Sequence, residues 1–464
     1  MPKQFEKGLF VFHRDLRIVD NAGLVNAMML CEKVYTCFVG TPEQLGNKNA
    51  FRSDNAIRFM FESLEDLSGE IHRAGGELLI LYGDPTSVIG DAVARLDVSA
   101  VFTNKDYTPY AVERDERLSK WCASKKIEYM ESSDYYLFEP GSITTTTGKP
   151  FQKYTPFYDA VIQLRVPAPY PTYRRLTETL EPAPHGASIP HKTTLAKFKS
   201  KFGESRVPIH GGRAEGLAKL AHAAKHQRKY DDERDFLDYE TTGLSAYIKF
   251  GCVSVREVYR EFVRAYGKKS GLVRELIWRE FFAHVLYGFP DALKGYTKRG
   301  VPWRHSNRDF QLWKKGQTGF PVVDAGMRQL NATGFMHNRA RMIVANFLVK
   351  TLLIDWRWGE AYFAQQLTDY DVASNNGNWQ SISGTGVDQK PYFRDMNPWI
   401  QSAKFDPDAA YIKHWVPELA AVPPIEIHKW DVFSSDPKHR ATKYPKPMVS
   451  YPEQKEKMLA MYRR

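Results

Sequence analysis

The chain has 464 residues but only four cysteines, Cys31, Cys37, Cys122 and Cys252, with no C-x-x-C pair and no histidine set beside them. That excludes a disulfide framework and a zinc site of ordinary spacing, and it points to a reducing compartment. No run approaches the ~20 apolar residues that span a bilayer, so no membrane partner is expected. The N-terminal stretch MPKQFEKGLFVFHRDLR meets charge before its apolar run lengthens, unlike a secretory signal. No G-x-G-x-x-G follows the first apolar run, so the ordinary dinucleotide fingerprint is missing. Internal repeats and low-complexity blocks are absent too. These absences predict a soluble intracellular protein, of cytoplasm or nucleus according to its source.

What is present is more specific. The length calls for two or three domains, and a 43% apolar fraction suits a globular chain. Lys and Arg exceed Asp and Glu by 65 − 54 = 11, which permits contacts to nucleic-acid phosphates without requiring them.

Residues 8–138 alternate strand-like runs (Leu9–Phe12, Val34–Val39, Leu78–Tyr82, Val101–Thr103, Ile127–Met130) with helical periodicity over Asp54–Ile71 and Pro85–Arg95. Such alternation predicts a doubly wound, mostly parallel sheet. From about Phe138 to Arg206, prolines cluster beside Thr and Ser, which reads as a long connector. After it the chain is helical, with strong apolar periodicity in 273–288, 322–332 and 336–354. The expected division is an α/β domain over 1–137, a connector over 138–206 and an all-helical domain over 207–464.

One segment of the helical part carries an unusual load of polar groups. Asp369-Tyr370-Asp371-Val372-Ala373-Ser374-Asn375-Asn376-Gly377-Asn378-Trp379 lies between apolar helices, and nine of the ten tryptophans fall between Trp278 and Trp430. Carboxylates and amides in apolar surroundings need partners, and a bound polar molecule would supply them. A polar loop capping two helices accounts for an isolated N-N-G equally well. Two neighbouring helices add to the case. Glu275, Trp278, Arg279 and Phe282 share one face by their spacing, as do Asn338, Arg341 and Met342, with Arg339 beside them. Tyr230 and Thr241-Thr242-Gly243-Leu244-Ser245 offer hydroxyls and free N–H groups before a helix, suited to a phosphate or to an ordinary N-cap. Trp313, Trp356 and Trp379 stand beside polar segments, and indoles can relay single electrons; core packing explains any one of them alone.

Taken together these strings resemble the photolyase/cryptochrome family over nearly the whole chain. The resemblance rests on HRDLRIVDN (13–21), KYTPFYDAV (153–161), TTGLSAYIKFGCVSVREVY (241–259) and ELIWREFF (275–282). It continues through 316–360, DYDVASNNGNWQ (369–380) and PYFRDMNPW (391–399). It implies a helical domain that buries FAD, active in its reduced form. The implied cofactor contacts are Tyr230, Thr241–Ser245, Arg279, Arg341 paired with Asp369, Tyr370, Asp371, and Asn375 facing flavin N5. Trp379, Trp356 and Trp313 match electron-relay tryptophans running outward to the surface. Leu272 stands where relatives often carry an aromatic residue.

The resemblance also implies light-driven repair of cyclobutane pyrimidine dimers in UV-damaged DNA by a monomeric carbon–carbon lyase. An electron passes to a lesion flipped from the duplex, the ring opens, and the electron returns. Asn338 and Met342 occupy the positions of two histidines in the (6-4) photolyases, which disfavours that lesion. Glu275 would hydrogen-bond the dimer, with Trp278, Asn338, Arg339 and Met342 around it and Arg394 and Gln401 facing DNA. Ser381 replaces a second lesion-walling tryptophan. Tyr110 and Ala111 replace an Asn and a Glu of folate-binding members, so a second antenna chromophore, if one is bound, is left unidentified. A cryptochrome-like blue-light sensor is the other reading of the same fold; the short tail after Glu418 disfavours it.

Overall fold

The computed structural model describes residues 3–171, 177–202, 208–295, 301–387 and 395–463. Five parallel strands, β1 (Phe5–Phe12), β2 (Cys31–Gly40), β3 (Leu78–Tyr82), β4 (Ala100–Asn104) and β5 (Glu128–Ser132), form one sheet with a short sixth, β6 (Lys192–Thr193). The order is β5-β4-β1-β2-β3-β6, and only β6 is antiparallel. The Leu9–Phe12 run of β1 is buried on both faces because helices cover the sheet on either side, so its sequence shows no alternation. The order reverses at β1, between β2 and β4. Open α/β sheets place their chemistry outside the strand ends at such a point. Here His13 and Arg14 leave β1, and Asp106 leaves β4.

The proline-rich stretch 138–206 is more than a linker. It contains the helix Tyr154–Val161, the helix Leu195–Phe202 and β6, and Leu180 pairs with Val34 at the sheet. Phe157 is fully buried, 5.6 Å from Phe281. A two-residue strand and an eight-residue helix are too short to register as periodicity.

The helices that matter for function are Gly271–Gly288, Asn338–Asn346, Trp356–Gln366 and Val372–Ser383. The expected helical stretch 336–354 changes character midway, with a π turn over Phe347–Thr351. The polar segment is itself helical from Val372, capped by Asp371, which accepts from Ser374 N at 2.9 Å. Gly377 is required inside that helix because the Phe282 ring occupies the space a Cβ would fill. The two halves are joined by buried charge: Arg17 and Arg256 both pair with Asp134, at 2.6 and 2.7 Å, and Arg256 also holds Asp20.

Candidate functional site

Asp369 is the junction of the site. Its Oδ2 accepts from Arg341 Nη2 at 2.9 Å and from Ser245 Oγ at 2.7 Å, so residues far apart in sequence converge on one carboxylate. Two cavities share it as a wall. The larger, about 510 Å³, is bounded by Thr241, Gly243, Ser245, His337 and Thr368. The smaller, about 110 Å³, lies among Asn338, Arg341, Met342, Tyr370, Asp371, Asn375 and Trp379. The larger alone falls within the roughly 300–1,000 Å³ of small-molecule sites. His337 Nε2, Thr368 Oγ1 and Asp369 Oδ1 border it, are buried, and make no hydrogen bond within the described residues. Folded proteins leave few such atoms, and a ligand rich in donors and acceptors answers all three.

The other polar groups of the segment have partners in the protein. Asp371 takes Arg14 Nη1 at 3.0 Å, and Arg14 also binds Asp106 at 2.9 Å. Burial pushes the Asp371 carboxyl up, yet Arg14, Arg279 and the bond from Ser374 outweigh it and hold it below its usual range. Asn376 donates to Glu360 at 2.9 Å, and burial raises that carboxyl to about 7. Asn375 reaches only the Glu360 carbonyl, at 3.4 Å, and faces the smaller cavity.

Other expected residues lie elsewhere. Arg279 lines neither of these two cavities; its guanidinium lies 4.4 Å over the Tyr136 ring and 3.4 Å from Glu280. Tyr230 packs beside Tyr239 and Arg234, Thr242 accepts from Leu244 N, and Leu244 is buried. Glu275 is held by Arg234 at 2.6 Å, and burial keeps its carboxyl above the ordinary range despite that cation. Asp235, next in sequence to Arg234, pairs with Arg339 at 2.5 Å, which links the two predicted helix faces through a residue pair that the sequence did not single out. Trp278 stacks flat on Tyr154, 3.5 Å away, and borders a separate small pocket with Ser381 across the Val372–Ser383 helix from Asn375. Gln401 sits on the helix Pro398–Phe405 with a buried, unpartnered Oε1. Arg394 lies outside the described residues.

The tryptophans require a correction. Trp379 borders the smaller cavity and meets Trp313 edge-on at 6.4 Å. Trp313, expected at the surface end, is fully buried, with its indole N–H donating to the Val344 carbonyl at 3.0 Å. An indole without solvent contact cannot end a path at the surface. Trp356 is buried on the helix whose Gly359 packs against Trp379. Trp303 is only partly buried, and its neighbour in sequence reaches the same segment: Arg304 N bonds the Leu353 carbonyl at 2.7 Å, and Arg304 bridges Ile354, two residues before Trp356. Sequence reasoning passed over Trp303; its place beside 353–356 depends on a long-range pairing that no local signal announces.

An α/β half docked on a helical half, with a cofactor-sized cavity in the latter, defines the class. Residues 9–172 match the family model described as DNA photolyase, and residues 272–464 match the FAD binding domain of DNA photolyase. A deoxyribodipyrimidine photo-lyase of Halobacterium salinarum is 35% identical over 98% of this chain and 98% of its own length. The archaeal photolyase of Sulfolobus tokodaii, solved with two FAD molecules, superposes with a TM-score of 0.85 at 37% identity, covering 98% of this chain and 99% of its own. The Synechocystis cryptochrome gives a TM-score of 0.89 at 27% identity over 99% and 100%. The chain belongs to the photolyase/cryptochrome family.

Proposed function

We infer that the protein is a deoxyribodipyrimidine photolyase, which uses light and reduced FAD to split cyclobutane pyrimidine dimers in UV-damaged DNA. The observation that favours this lesion is the wall of the Asn375 cavity. Asn338 and Met342 lie side by side there, 3.9 Å apart, and no histidine lines that cavity among the described residues. His337, on the larger cavity, is pushed down to about 4 by burial, so it is neutral at physiological pH and no acid. Dimer splitting needs an electron rather than a proton, and this wall suits it.

FAD fits the residues present: Arg341, Ser245 and the unpartnered atoms of Asp369, Thr368 and His337 would hold its polar groups, and Asn375 and Trp379 its ring system. When bound and reduced, it supplies blue-light absorption and one transferable electron. The chain's part is to position, to exclude water and to stabilise charge. Arg341 fixes Asp369, Arg14 fixes Asp371, and the apolar helices keep the cavity dry. Glu275, poised by Arg234, is offered as the hydrogen-bonding partner of the lesion, with Asn338, Arg339 and Met342 beside it. Trp379, Trp356 and Trp303 make the path from cavity to surface, with Trp313 a buried neighbour. Tyr110 hydroxyl lies 3.3 Å from Thr41 Oγ1, and with Ala111 it offers no carboxylate or amide for a folate antenna, which disfavours folate as a second chromophore and leaves its identity open. We take the protein to act as a monomer, in cytoplasm or nucleus.

A repair assay under blue light with the two lesion types side by side tests this. Restoration of cyclobutane dimers alone is expected; action on (6-4) lesions alone overturns the lesion assignment, and binding without repair of either favours a light sensor.

A further inference from the structure

A second polar cavity, about 420 Å³, opens between the helix Asn307–Lys315 and the last helix, Tyr451–Tyr462. Arg304, Arg308, Lys457, Asp309 and Gln454 line it. The Asp309 carboxylate is taken up by Arg304 at 3.1 Å, and neither Arg308 nor Lys457 has an ion-pair partner among the described residues. The wall is therefore cationic. Gln454 is only 6% exposed, yet its Oε1 accepts no hydrogen bond. Cations beside a buried, unsatisfied acceptor match an anion that also carries a hydroxyl donor. The cavity adjoins Trp303: Arg304 is the next residue, and the Trp303 ring meets Tyr462, on the helix that supplies Gln454 and Lys457, at 6.2 Å.

We propose that this cavity binds a small hydroxylated anionic reductant, an enediolate, which returns an electron to Trp303. The proposal rests on Trp303 being the outer end of the relay. An enediolate monoanion gives one electron to the oxidised Trp303 indole, which becomes neutral again. The donor's remaining hydroxyl, accepted by Gln454 Oε1, then loses its proton to solvent, leaving the donor as a radical anion. Arg308 and Lys457 hold the negative charge throughout.

Ascorbate is the probe. Calorimetric titration of the FAD-loaded protein in the dark should show one saturable site, weakened about tenfold or more in Arg308→Gln/Lys457→Gln. Photoreduction rate under blue light should saturate at the same ascorbate concentration, whereas neutral dithiothreitol should act linearly and equally on both proteins. Absence of saturable binding, or an ascorbate dependence unchanged by the double substitution, overturns the proposal. Trp303→Phe separates the two readings. Loss of photoreduction with both donors alongside normal ascorbate binding supports both. Wild-type photoreduction with dithiothreitol refutes the relay end, and the electron-donor role with it.

Discussion

Replacing Arg14 with Met should remove one of the charged links between the two halves of the molecule. Its guanidinium binds Asp106 at 2.9 Å and Asp371 at 3.0 Å, lies 4.7 Å over Tyr135, and is only 13% exposed, so solvent screens these pairs little. Methionine keeps the volume and removes the charge, stranding two carboxylates. Breaking a buried pair in this way costs about 3–5 kcal/mol. Urea unfolding followed by tryptophan emission reads the helical half, which holds nine of the ten tryptophans. Asp371→Asn should cost less in the Arg14→Met protein than in the wild type, because the partner is already gone. The pH dependence has a definite sign. Asp371 sits below its usual range in the folded protein, so its stabilisation is present above the unfolded carboxylate value of about 3.9 and fades as the pH falls through the folded one. In the variant, Asp371 loses the first of the groups that lower it, so its carboxyl rises and the penalty fades on protonation. The gap between the proteins should therefore be widest near neutrality and shrink in acid. A loss under about 1 kcal/mol at pH 7, typical of an exposed pair, would refute the reasoning.

Arg341→Met leaves Asp369 with Ser245 alone and should weaken FAD binding about tenfold to a hundredfold, read from the fluorescence of released flavin; unchanged affinity contradicts the junction role. Trp303→Phe and Trp379→Phe should slow photoreduction of oxidised flavin while repair by pre-reduced enzyme persists, and Trp313→Phe should do much less; equal effects of Trp303 and Trp313 would restore the buried residue to the path. Glu275→Gln should lower repair about tenfold with flavin content intact; parallel loss of flavin would make Glu275 a structural residue instead.

The sheet was legible because buried parallel strands read as unbroken apolar runs: Leu78–Tyr82 matches its run residue for residue, and β1 gains only its half-exposed start. The Asp369–Trp379 cluster announced itself because two carboxylates and three amides are rarely set among apolar helices. What escaped were pairings over long separations. Arg234 and Asp235 look like an ordinary charged turn until Glu275 and Arg339 close on them. Trp303 and Trp313 are alike in sequence, and only the packing of Arg304 against Leu353 and Ile354 tells which one approaches solvent. Periodicity placed Arg279 on the Glu275 face, but it does not encode what stands opposite, and Tyr136 claims the guanidinium.

The missing glycine fingerprint acquires a physical meaning in this arrangement. In a dinucleotide fold the turn after the first strand is bare, so that a pyrophosphate can approach its backbone. Here that turn is His13-Arg14-Asp15, and its charged side chains are paired within the protein. Asp15 accepts from His13 N at 2.7 Å and from Asn104 at 2.6 Å, while Arg14 crosses to the helical half. The His13 N–H is thus taken up by a side chain of the turn itself and is not offered to a phosphate. The cavity proposed for the dinucleotide lies instead around Asp369, walled by side chains such as Ser245, His337 and Thr368. The strand ends at the switch point reach the adjoining smaller cavity from outside, through one guanidinium that pairs with Asp371 in its wall.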